Sequence, residues 1–330
     1  MPRTIQWVIL LISLIALTGI INLSIHATST PSGMADTLAR PDWPWEAPDT
    51  ATIPRTPNGD LVRYGRNLIV HTARYLGPQG IVRAISNGMN CQNCHLDAGT
   101  RPWGNNYSAV ATTYPRFRDR SGTIETVEKR VNDCLQRSLH GQPLDSNSRE
   151  LKAMVAYLMW VGSNVPAKRK PVGAGISSLP YPNLPADPVA GKGVYSRYCQ
   201  RCHGKDGQGL RDSTGPGYLY PPVWGPHSFN TAAGIYRLSK LAGYVRDNMP
   251  YEEAYHHKPV LTDEEAWHVA AYINAQPRPE KTFPGDWPRI STKPVDHPFG
   301  PFSDTFSARQ HKYGPFQPIV DYREKNKPAP

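Results

Sequence analysis

The sequence predicts a mainly α chain of two tandem domains followed by an irregular C-terminal extension. Three observations predict it. The pentapeptide Cys-x-x-Cys-His occurs twice, with Cys91, Cys94 and His95 in one copy and Cys199, Cys202 and His203 in the other. Each copy is preceded by a short helix-like stretch and followed by a longer one with apolar residues at helical spacing. Beyond about residue 280 the chain becomes rich in Pro, Gly and aromatic residues and loses that periodicity.

The pentapeptide carries its own chemistry. Two thiols add across the vinyl groups of one porphyrin, and the next residue offers an imidazole to the iron. Cys91, Cys94, Cys199 and Cys202 are therefore expected to anchor two covalent haem c groups, with His95 and His203 as proximal ligands. A redox dithiol or half of a zinc site is the competing reading of one copy. Two copies, each with its own histidine and behind an export segment, favour haem. The predicted fold is thus two class I cytochrome c-like domains in tandem.

A length of 330 residues suits about two domains, and 34 prolines point to long irregular connections. The formal net charge is +10, with Lys and Arg spread along the chain. No nucleic-acid motif is present, so the charge suits solubility or the steering of an anionic substrate or an acidic redox partner. Near the N-terminus, Arg3 precedes an apolar run from Trp7 to Ile25 and then Ala27. This is the pattern of a secretory signal, and the run is also long enough to span a bilayer. A cleaved signal peptide and an N-terminal membrane anchor both put the haem domains in the periplasm. The expected boundaries are a signal or anchor over 1–27, a Pro-rich lead-in over 28–59 and a first domain over 60–165. A linker over 166–186, a second domain over 187–279 and the extension over 280–330 complete the chain.

The internal repeat points to the remaining iron ligands. Ser148 and Thr262 are plausible N-caps of the two longer helices, and Tyr157 aligns with Tyr272. Upstream, Tyr64-Gly65 pairs with Gly193-Val194-Tyr195. Met249 lies 23 residues before Tyr272, and Cys134, the fifth cysteine, lies 23 residues before Tyr157. Asn248-Met249-Pro250 stands where small cytochromes c present a distal methionine, so haem 2 is expected to be His203/Met249. By register haem 1 is His95/Cys134, the thiolate lowering its potential. Met154, Met159 and His140 are rivals for that position, although core packing is the better reading of both methionines. Cys134 as a free thiol or an intermolecular disulfide is the bland alternative.

Residues 124–139 have helical character, which sets Arg130 and Ser138 one turn either side of Cys134 on one face. Arg137 is three residues on, and Arg116, Arg118 and Arg120 arrive on the preceding loop. Arginines gathered at a thiolate favour the charged sulfur and offer forked donors to an oxyanion. A solvated helix face, with Glu128 and Asp133 pairing some charges, is the competing reading.

These residues carry a resemblance. From about Arg63 to about Pro279 the chain resembles the dihaem thiosulfate dehydrogenases, periplasmic cytochromes c that join two thiosulfates into tetrathionate. The carriers are the first haem motif through Gly99, the segment from Arg130 to Ser138, Pro221-Pro-Val-Trp-Gly225, His227-Ser-Phe-Asn230 and Asn248-Met249-Pro250. The resemblance implies that Cys134 is the distal ligand of the active-site haem and that Arg120, Arg130 and Ser138 hold substrate beside it. It implies thiosulfate and tetrathionate as substrates, in either direction, and the expected electron partner is a small cytochrome c or another periplasmic electron acceptor or donor. Some members carry a lysine before the distal methionine that replaces it as ligand; Asn248 stands there, so simple His/Met ligation is expected. A non-catalytic dihaem electron carrier is the competing class. It leaves unexplained why a cysteine surrounded by arginines sits at a ligand position.

Overall fold

The computed structural model describes residues 45–326. The expected signal or anchor, most of the lead-in and the last four residues lie outside the described residues. Among those described, no helix is long and apolar enough to cross a membrane.

The mainly α expectation holds, with two small hairpins added. In the first half, α1 (Pro57–Val70) starts at Thr56, whose side chain accepts from the Gly59 amide, with Pro57 at the first helical position. It crosses α3 (Arg149–Val161), capped by Ser148. Leu68, Leu151, Met154 and Tyr157 are fully buried between them. In the second half, α4 (Pro188–Val194) crosses α6 (Asp263–Ala275), which opens on a capping box of Thr262 and Glu265. Here Tyr195, Trp267, Ala270 and Ala271 fill the core.

Both crossings use one device. A Cβ built on Gly65 would stand 1.9 Å from the Ala153 carbonyl oxygen and 2.8 Å from the Tyr157 Cβ; one on Gly191 would stand 1.9 Å from the His268 carbonyl and 2.9 Å from the Tyr272 Cβ. Tyr157 and Tyr272 are thus true counterparts. The upstream partner of Gly65 is Gly191 rather than Gly193, which meets nothing within 4 Å. A glycine at the crossing lets the helix backbones touch, and it is contact rather than sequence context that distinguishes it.

Residues 124–139 are not one helix. Thr123–Glu125 forms β2, paired antiparallel with β1 (Arg116–Arg118), and the helix α2 spans Val127–Arg137. Thr126 sets the boundary by accepting from the Lys129 amide at 3.3 Å, and Ile124 remains 69% exposed on the hairpin. Arg116 and Arg118 accordingly sit on a strand, with Arg120 in the turn beyond.

The two halves are stitched together. Asn87 donates to the Ser228 carbonyl at 3.1 Å, Asn230 to the Gln136 carbonyl at 2.9 Å and Tyr244 to the Asn93 carbonyl at 3.2 Å. Trp103 stacks on His256 with 3.9 Å between ring centroids. The C-terminal extension packs against both halves. Phe316 and Ile319 are fully buried in the second core. Pro288 lies over Gly122, whose φ of +66° and lack of a side chain give it room.

Candidate active site

The two haem motifs present their histidines alike. His95 Nδ1 donates to the Asn105 carbonyl at 2.5 Å, and His203 Nδ1 to the Pro221 carbonyl at 2.8 Å. A backbone acceptor at Nδ1 fixes the tautomer and leaves Nε2 bare for a metal. Burial keeps both rings neutral, the ligating form, pushing His95 down to about 4 and lowering His203. No disulfide links the five cysteines. Cys91 and Cys94 pack against the first core, and Cys199 and Met249 each pack against the second. The donor sets fit a covalent porphyrin in each half, and the chain carries two c-type haems.

Met249 and Cys134 share a sequence offset but differ in local structure. Met249 ends α5 (Leu238–Asn248) in extended backbone, with φ −126° and ψ 137°. Pro250 follows, and a residue before proline is pushed out of helical geometry. Cys134 has no proline after it and stays inside α2, so its neighbours one turn away remain on its face.

That face lines a cavity of about 520 Å³. Cys134, Arg130 and Ser138 enter it from α2, Arg120 from the turn after β1, and Cys94 and His95 from the first haem motif. Among the described residues its single lining carboxylate, Asp119, is paired with Arg289 at 3.0 Å. The cavity is therefore strongly positive. The Cys134 thiolate is the largest influence on Arg130 and raises its pKa. Burial, followed by the nearby Arg137, pulls Arg120 down to about 10, leaving it charged at neutral pH.

Other residues considered for this site lie elsewhere. Arg137 turns from the cavity, is 4% exposed, grips Asp286 and lies over the Phe283 ring at 3.8 Å. His140 hydrogen-bonds Asn230 on the outer side. Met154 is fully buried in the core, as expected, but Met159 is 38% exposed on the far face of α3 and packs no core. Among the other histidines, His311 is no surface residue. It is fully buried, bonded to the Val295 carbonyl at 2.7 Å and to Asp304 at 2.9 Å.

Sequence reasoning missed the contribution of the extension. Asp286 approaches Arg120 at 3.8 Å, the Trp287 amide donates to the Arg120 carbonyl at 2.6 Å, and the Trp287 ring lies 5.4 Å from the Arg120 guanidinium. The only signal was a tryptophan and an acid in an aperiodic Pro-rich segment. Nothing local ties such a segment to a site more than 150 residues away.

Residues 83–166 match the SoxA/TsdA cytochrome c domain family, and residues 186–273 match cytochrome c oxidase, cbb3-type, subunit III. Thiosulfate dehydrogenase from Stutzerimonas stutzeri (strain A1501) is 34% identical over 236 residues, covering 72% of this chain and 73% of that protein. Thiosulfate dehydrogenase from Allochromatium vinosum is 35% identical over 236 residues, covering 70% of this chain and 83% of that protein. A solved structure of thiosulfate dehydrogenase (TsdBA) from Marichromatium purpuratum superimposes with a TM-score of 0.67 at 29% identity, over 84% of this chain and 55% of that longer one. On its two cytochrome c domains and these relatives, the chain belongs to the thiosulfate dehydrogenase family of c-type cytochromes.

Proposed function

We propose that this protein is an exported, periplasmic dihaem cytochrome that couples two thiosulfates into tetrathionate, and that it runs the reverse reduction when supplied with electrons. The observation that carries the reading is the convergence of a thiol and guanidinium groups on one cavity: Cys134, Arg130 and Ser138 from α2 and its C-cap, and Arg120 from the turn after β1. In this reading Cys91, Cys94, Cys199 and Cys202 anchor the haems, with His95/Cys134 and His203/Met249 as ligand pairs.

The overall balance is 2 S2O3(2−) giving S4O6(2−) and two electrons. Two dianions repel, so their approach requires fixed positive charge in a partly dry site. Arg120 and Arg130 supply it, and Ser138 offers a hydroxyl donor to a sulfonate oxygen. The Cys134 thiolate joins the outer sulfur of one thiosulfate, forming an S–S bond and releasing two electrons. The outer sulfur of a second thiosulfate then attacks the sulfur just bound. The Cys134–sulfur bond breaks, tetrathionate leaves and the thiolate is restored, as in thiol–disulfide exchange. When bound, the two haems would supply two one-electron acceptors between the substrate and an external small cytochrome c.

Stopped-flow spectroscopy tests the reading. Thiosulfate is expected to reduce the oxidised holoprotein, or tetrathionate to oxidise the reduced one. A pure electron carrier does neither, and that result removes the proposal.

A further inference from the structure

The reaction handles two sulfonates, yet Arg130 and Ser138 both stand one turn from the thiol. The same cavity has a second positive end. Arg237, the residue preceding α5, and Lys240 in the first turn of that helix line it from the other half of the protein. Arg120 lies within electrostatic reach of both Arg130 and Arg237, and Lys240 within reach of Arg237, Asp296 and Lys170. Arg130 and Arg120 line the cavity from the first half, and Arg237 and Lys240 line it from the second.

The last two differ in one respect. Arg237 is neutralised by the buried carboxylate of Asp296, bonded to Nε at 2.8 Å and to Nη2 at 2.5 Å, and Asp296 also accepts from Ser239. Lys240 forms no ion pair among the described residues, although it is partly buried beside another cation. Burial, with Arg237 next to it, lowers its pKa. An ammonium kept in such surroundings gains most from a mobile anion. Arg237, fixed by Asp296, lines the cavity as well.

We propose that Lys240 is the second sulfonate subsite, holding the end of tetrathionate, or of the incoming thiosulfate, that lies remote from Cys134. The inference rests on the functional reading above and adds to it that the two halves of the protein each hold one end of the product. A lysine suits this role. Its point charge on a flexible stem releases an anion more readily than a forked guanidinium, and this end has to admit the second substrate and let the product go.

A carboxylate of bound haem is the other anion of this chemistry, and the test separates the two. Tetrathionate is titrated calorimetrically into the oxidised holoprotein, which has no electrons to reduce it. Lys240→Met keeps the apolar stem and removes the charge. It is expected to weaken binding roughly tenfold, the scale of one charge-assisted hydrogen bond, while both haem potentials stay put and Lys240→Arg recovers most of the affinity. Unchanged affinity in Lys240→Met overturns the inference. So does a shifted haem potential with unchanged affinity, which assigns Lys240 to a haem carboxylate. A wild-type protein that neither binds tetrathionate nor turns over thiosulfate overturns the functional reading itself, and this inference with it.

Discussion

Asp286 holds Arg137 with two parallel hydrogen bonds of 2.7 and 2.8 Å, joining the C-terminal extension to the helix that carries Cys134. The same carboxylate reaches toward Arg120 at 3.8 Å. One acid in the extension therefore neutralises the inner face of α2 and steadies a cation of the cavity. Asp286→Ala leaves Arg137 buried with only Asp133, at 3.9 Å, as a distant partner. The expected loss is roughly 3 kcal/mol of stability, read by denaturant unfolding, together with a raised KM for thiosulfate as Arg120 loosens.

Arg130 offers a second test. Arg130→Ala is expected to raise the KM for thiosulfate at least tenfold, because a charge-assisted contact contributes about 1.5–3 kcal/mol. Arg130→Lys keeps the charge but loses the planar fork, so it should fall between the two. Equal kinetics for all three proteins would take Arg130 out of substrate binding.

The helix crossings predict stability effects with no direct effect on chemistry. Gly191→Ala forces a methyl against the His268 carbonyl, where a Cβ would stand 1.9 Å away. An overpacking cost of about 1–3 kcal/mol is expected. Gly193→Ala, with open space around it, should cost nothing or stabilise the helix slightly. Thermal unfolding of the two variants side by side checks the assignment of Gly191 as the counterpart of Gly65.

His297 gives the fold a pH dependence. Burial, then Lys293 and Arg120, push it down to about 4, whereas an unfolded histidine titrates near ~6.5. Between these values the unfolded chain binds a proton that the folded chain refuses. The contribution of His297 to stability is complete above about pH 6.5 and is lost as pH falls toward 4. His297→Gln should flatten the fall in melting temperature across that window; an unchanged slope would mean that other groups cause it.

The parts of the molecule legible in the sequence were those written in short-range patterns. The Cys-x-x-Cys-His spacing, the caps at Ser148 and Thr262, and the helical placement of Arg130, Cys134 and Ser138 all depend on neighbours within one or two turns. Tyr157 and Tyr272 were matched correctly because a repeat preserves its crossing residue. Pairing Gly65 with Gly193 differs from the structure, where Gly191 makes the close contact with the other helix. The start of α2 was overrun because Ile124 fits a helical period as well as a strand, and pairing with Phe117 decides between them. Asp286, Trp287 and Lys240 were invisible for a different reason. They reach the cavity from segments remote in sequence, and no local periodicity encodes that approach.

The central claim is that Cys134 does the chemistry. Cys134→Ala should be purified with both haems attached, two per chain by pyridine haemochrome, and assayed for thiosulfate turnover. The account predicts an intact dihaem protein whose turnover falls about a thousandfold or more. Substantial turnover in that variant would contradict it.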